Sequence, residues 1–236
     1  MKNFKRILAV IMAILVATIA LSACGGDKVK VGKNAKDNMK TPDGAVKGFI
    51  SSVFDADFKA AAKYVSSESE AYKSLNDLAD FDTLIEKEDL SDEEKKIAKF
   101  AYKKAIEYIP QVTGIIPYSV GKAEIKGDVA EVAVELPIPA ENYEPSQKFQ
   151  ETLMGIMMKN AGLVMSLQQS MQNVDFDDPM DVIKNLDVEA ITNAIDKVLP
   201  EVLDAAKAEI ENIEKSAVTV ILEKEGSEWK ILEIEE

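Results

Sequence analysis

The apolar residues of this chain change their spacing three times along its length, and that switching constrains the fold more than any single motif does. Ala45, Val46, Phe49, Ile50, Val53 and Phe54 recur at helical intervals; after a break at Asp55 to Asp57, a second short helix carries Phe58, Ala61, Ala62 and Val65. Thr41 is placed to cap the first helix, Pro42 suits its first position and Asp43 its positive end. Ser91 and Glu94 make a capping box for a third helix through Ile97, Phe100, Ala101, Ala105 and Tyr108, which Pro110 is expected to stop.

Beyond Tyr118 the period drops to two. Ala123 and Ile125 precede Gly127 and Asp128, and Ala130, Val132, Val134 and Leu136 follow them, so a hairpin is expected that ends at Pro137 and Pro139. The device returns near the end of the sequence, where Val218, Val220 and Leu222 lead through "EKEGSE" to Trp229, Ile231, Leu232 and Ile234. Helices followed by four antiparallel strands give an α+β class. Between the hairpins lies a helical insertion, about 145–215, inside a domain spanning 41–236. Its first helix carries Phe149, Leu153, Met154, Ile156, Met157, Met158, Leu163, Val164, Met165, Leu167 and Met171. The second begins near Asp187, carries Ile191, Ala194, Ile195, Val198, Leu199, Leu203, Ala206, Ile210 and Ile213, and is expected to kink at Pro200.

The sequence opens with Lys2, Lys5 and Arg6, an apolar run from Ile7 to Ala20, and then Leu21, Ser22, Ala23 and Cys24. A charged start, a short greasy run and small residues are the layout of an export signal, and the run is shorter than the roughly 20 residues of a spanning helix. Leu21, Ser22, Ala23 and Cys24 resemble the lipobox of bacterial lipoproteins at every position. That resemblance implies a diacylglycerol on the Cys24 sulfur, cleavage after Ala23 and a signal peptide over residues 1–23. Two acyl chains make a durable anchor where one holds only marginally. Residues 24–40 then read as the lipidated cysteine and a polar tether, whose last sixteen residues span roughly 20 to 25 Å. The expected location is the outer face of the cytoplasmic membrane of a bacterium, with the membrane itself as a partner through the anchor.

The stretch "TPDGAVKGFISSVFDADFKAAAKYV" and the ending "VTVILEKEGSEWKILEIEE" carry a second resemblance. They are similar to bacterial lipoproteins of unknown function with a nuclear-transport-factor-2-like, or cystatin-like, domain. Thr41, Pro42, Val46, Phe49, Asp57, Ala61, Ala62, Lys63 and Tyr64 match its opening, and the strand, Gly turn and Trp-Lys-Ile strand its close. The resemblance implies a curved four-stranded antiparallel sheet, shaped as a cone, with the N-terminal helices packed on it. It does not extend to the insertion.

The absence of histidine removes histidine triads, histidine metal sites and the usual proton shuttle. Folds of the resembled type host ketosteroid isomerase chemistry, and Tyr118, Tyr143 and Asp128 are suitable residue types for an isomerase or hydratase. Asp128 beside Gly127 is better read as a turn residue, and fold analogy alone carries no activity, so a non-enzymatic protein is the expectation. "NVDFDDPMD" at 173–181 invites a calcium loop; Met180 and Leu186 stand where glycine and glutamate would be needed, so a solvated acidic loop is expected, with no metal and no cofactor. Removing residues 1–23 takes away three positive charges and no negative ones, which moves the net charge from −14 to −17 and excludes nucleic acid as a partner. The lack of strand–helix–strand alternation disfavours a two-lobed transporter subunit. What remains is a binding or scaffolding module. The flexible, polarizable methionines of the insertion suit a surface or groove for apolar partners, and Gly155 and Gly162 would let a second backbone come close. Met154, Met157, Met158, Met165 and Trp229 are the residues expected to line it, for either an envelope protein or a small apolar ligand.

Overall fold

The first helix forms where the sequence places its signals. In α1 (Pro42–Phe54) the Thr41 side chain accepts from the Gly44 N–H at 3.2 Å, Pro42 occupies the first turn, and Lys47 pairs with Asp43 one turn away at 3.1 Å. The chain leaves α1 through Ala56, whose φ of 55° is in the left-handed region, and Asp57 then caps α2 (Phe58–Ala61) by accepting from the Ala60 N–H. A 3-10 turn (Ala62–Tyr64) follows. The computed structural model describes residues 38–88, 90–139, 143–162, 165 and 188–235. The leader with Ala23 and Cys24, the tether before Asn38, Met171 and the acidic loop at 173–181 lie outside the described residues.

Two compact units divide the chain. One holds the described residues of 25–80, 113–142 and 213–236, the other those of 81–112 and 143–212. The first is built on an open antiparallel sheet of β1 (Ser119–Val120), β2 (Glu124–Lys126), β3 (Val129–Pro137), β4 (Lys215–Glu225) and β5 (Glu228–Glu235), ordered β1-β3-β4-β5 with β2 also paired to β3. The fold is therefore α+β with five strands among the described residues, where four were expected. The extra strand arises because Gly121 donates to the Ala133 carbonyl at 2.8 Å and the chain then leaves the ladder, which splits the predicted first strand into β1 and β2. Gly127 and Gly226, at φ 69° and 64°, make the two hairpin turns that the alternation announced.

Register puts the apolar residues on one face. Val132 opposes Val220, Ala130 opposes Leu222, and Leu222 in turn opposes Ile231, all of them buried. A bulge between Ile221 and Leu222 lets Leu232 slip out of register, so that Ile234, opposite Val220, stays on the same face as Ile231. Helix α1 packs on β3 and β5. The outer edge of β5 is covered by two segments: the Trp229 N–H donates to the Met39 carbonyl, and the Ser66 N–H donates to the Ile231 carbonyl, each at 2.8 Å. Met39 is thus buried and fixed, so residues 38–40 belong to the folded unit and not to the tether. Covering an edge in this way removes unpaired backbone groups that would otherwise invite another strand.

Gly48 of α1 is one of the positions where a glycine is sterically required. A Cβ there would sit 2.4 Å from ring atoms of Tyr64, which is buried and accepts a hydrogen bond from the Asn38 amide at 3.1 Å. Gly48→Ala gains about 1 kcal/mol of helix propensity but overpacks a ring that cannot swing away, so a net loss of about 1 to 3 kcal/mol is expected in urea unfolding. Gly155 meets nothing within 4 Å, and Gly155→Ala should stabilise by up to about 1 kcal/mol in the same assay.

Two short helices that the apolar spacing did not announce, α3 (Glu70–Ala79) and α4 (Phe81–Glu86), precede the long helix α5 (Asp92–Thr113). Ser69 caps α3 by accepting from the Tyr72 N–H, but Leu75 is its one buried residue, which is why the pattern was faint. At the start of α5 the Ser91 carbonyl accepts from the Lys95 N–H; the Glu94 side chain of the expected capping box lies outside the described residues. Pro110 does not stop α5, which runs on to Thr113. Tyr108, Ile109 and Val112 are buried around the proline, and burying side chains of that size offsets the roughly 3 kcal/mol that an internal proline costs.

Helix α6 (Gln147–Lys159) and helix α7 (Val188–Ile210) are the insertion, and with α4 and α5 they make the second unit. The third predicted helix therefore groups with the insertion and not with the helices on the sheet. The expected first insertion helix is interrupted at Asn160, whose N–H and amide both bond the Ile156 carbonyl and close α6. Helix α7 continues through Pro200. The start of α6 meets Glu209, late in α7, and its end meets Glu201, so the two run antiparallel.

Candidate functional site

Helix α6 presents two apolar lines of different chemistry. Ile156 is buried, with Phe149 and Leu153 half-buried beside it, whereas Met154, Met157 and Met158 are 64%, 55% and 73% exposed. Met165, beyond the break at Asn160, is exposed as well. The aliphatic and aromatic residues face inward and the thioethers face out. Lys159 reaches across to Glu201 at 2.7 Å, which holds that charge on the α7 side of the helix. Cβ atoms built on Gly155 or Gly162 meet nothing within 4 Å, so the space above both glycines is open among the described residues.

The start of α6 is fixed by a buried carboxylate that the sequence did not single out. Glu209 is 4% exposed and accepts from the Tyr143 hydroxyl at 2.5 Å, the Ser146 N–H at 2.6 Å and the Ser146 hydroxyl at 2.5 Å. Ser146 Oγ also accepts from the Phe149 N–H, so the residue that caps α6 is itself held by α7. Burial pushes the Glu209 carboxyl up, and the hydrogen bonds from Ser146 and Tyr143 outweigh it and hold the group below the ordinary glutamate range. Three hydrogen bonds thus converge on one buried carboxylate. This is a clamp for a helix start rather than an open acid or base.

A second polar cluster in the same unit is equally satisfied. The Tyr108 hydroxyl lies 3.1 Å from the Thr192 carbonyl and 2.9 Å from Asp196 Oδ1, and Lys104 pairs with Asp196 at 3.3 Å. Burial and the neighbouring Asp196 raise the pKa of Tyr108, which keeps it a hydrogen-bond donor. Tyr108 packs with Val112, Ile195 and Leu199 as a core cluster.

The residue types that suited isomerase chemistry take separate structural partners. Tyr143 is bound to Glu209; Tyr118 stands edge-on to Phe54 at 5.4 Å; and the Asp128 backbone carbonyl accepts from the Lys224 N–H of β4. Trp229 is 5% exposed in the sheet unit, with the Lys224 ammonium 5.8 Å from its ring centroid, whereas the four described methionines of the expected surface belong to the helical unit. Among the described residues no group of three or more His, Cys, Asp or Glu could hold a metal ion, and no helix is long and apolar enough to cross a membrane.

The Glu209 and Asp196 contacts were invisible in the sequence because their partners lie 63 to 92 residues away and belong to no motif. Compared with protein-family models, curated proteins and solved structures, the chain matches none.

Proposed function

We propose that this protein is an extracytoplasmic lipoprotein, held to the membrane through Cys24, whose body is a non-catalytic binding or scaffolding module. The exposed thioether line of α6 carries the reading of the body. Three large apolar side chains on one helix, more than half exposed, serve no core, and such surfaces are where apolar partners are met. The buried, engaged state of Glu209, and the separate partners of Tyr118 and Tyr143, support recognition over catalysis. The sheet unit is proposed as a variant of the nuclear-transport-factor-2-like cone, on the strength of α1 packed on β3 and β5 and the closing Trp229 hairpin.

The lipobox residues Leu21 to Cys24 carry the anchor. In cells fed radiolabelled palmitate, the parent chain should incorporate label and sediment with membranes, and Cys24→Ser should lose the label entirely. Equal labelling of the two would end the lipoprotein reading.

A further inference from the structure

The partition of side chains on α6 is more specific than an apolar docking face requires. The sequence uses Phe149, Leu153 and Ile156 for the inward line. Outward it places sulfur at positions 154, 157 and 158. We propose that Met154, Met157 and Met158 form a thioether site for a soft monovalent cation, Cu(I).

Residues three and four apart on a helix are neighbours, with Cβ atoms about 5 to 6 Å apart, so Met154 lies next to both Met157 and Met158. Methionine is unbranched, with three rotatable bonds and a polarizable sulfur, which lets three such side chains close on one ion without moving the backbone. Space above the helix is open at Gly155, and Lys159, next to Met158, is engaged by Glu201. Thioethers select Cu(I), whereas hard divalent cations prefer carboxylate and carbonyl oxygen. The net charge of −14 favours approach of any cation. The sequence holds no histidine, and its single cysteine, Cys24, is replaced in the variant used to test the site. Met39 shows the contrasting case: it is buried, and its sulfur already accepts from the Lys230 ammonium at 3.2 Å.

The site does not depend on lipidation, so it is tested without it. The full chain carrying Cys24→Ser, in mild detergent and without a histidine tag, is labelled with 13C-methyl methionine and titrated with Ag(I), a redox-stable stand-in for Cu(I). The methyl signals of residues 154, 157 and 158 should shift together and saturate at one ion per chain, while that of Met39 stays in place. The triple variant M154L/M157L/M158L keeps the apolar volume and should bind Ag(I) about tenfold more weakly or worse. Unmoved signals in the parent, or equal affinity in the triple variant, would overturn the proposal. Anaerobic competition for Cu(I) against a chromophoric chelator should show the same difference between parent and variant, and its absence would remove the assignment to copper.

Discussion

Glu209→Ala should cost the helical unit about 3 kcal/mol, because it leaves the Tyr143 hydroxyl and the hydroxyl and N–H of Ser146 without their shared acceptor. The loss reaches further than three hydrogen bonds, since Ser146 is also the cap of α6 and a loosened cap costs about 1 kcal/mol on its own. Urea unfolding followed by far-UV circular dichroism measures it, and a change below about 0.5 kcal/mol would mean that water replaces the clamp without loss. The pH dependence gives a second reading of the same contact. Glu209 titrates below its ordinary value in the folded chain, so its contribution is complete above the unfolded-state pKa and disappears as pH falls through the lowered folded-state pKa. Acid should therefore destabilise the parent more steeply than Glu209→Ala over that interval. Glu209→Gln, which keeps one acceptor but does not titrate, should lose less stability than Glu209→Ala at neutral pH and share its flatter acid response.

Trp229→Ala is the largest single loss expected in the sheet unit, at about 3 to 5 kcal/mol. Its ring is 5% exposed, lies on the apolar face in line with Ile231 and has the Lys224 ammonium over it. The substitution leaves the backbone N–H free to keep its bond to the Met39 carbonyl, so the measurement isolates the ring from the edge contact. Trp229→Phe retains most of the buried area and should lose no more than about 2 kcal/mol. A common loss in both variants would point to the indole N–H or the cation contact, and not to volume, as the source.

How far the sequence could be read depends on how far apart the interacting residues lie. Thr41, Pro42 and Asp43 start α1, Asp57 caps α2, and the glycines at 127 and 226 turn two hairpins, because each signal acts on backbone within four residues of itself. Alternation at 130–136 and 218–222 sufficed for the strand faces for the same reason. The same local logic fails where distant burial outweighs it. Pro110 should end a helix, yet α5 passes through it because Tyr108 and Val112 are buried on either side. The predicted strand divides where the chain leaves the ladder after Gly121 bonds Ala133, and Leu232 leaves the ladder at a bulge that no residue type announces.

Helical spacing alone established that α6 carries more apolar residues than one face can bury. Which line turns inward was decided only by tertiary packing, in which α7 lies against α6, Ile156 is buried and Met154, Met157 and Met158 are left to solvent. The Glu209 clamp belongs to the same class, since a carboxylate becomes a structural acceptor only when chain folding carries Tyr143 and Ser146 to it from more than sixty residues away. Caps, turns and periods are properties of a few neighbouring peptide units and can be read directly. Burial and charge satisfaction are properties of who the neighbours are, and the tertiary structure alone chooses them.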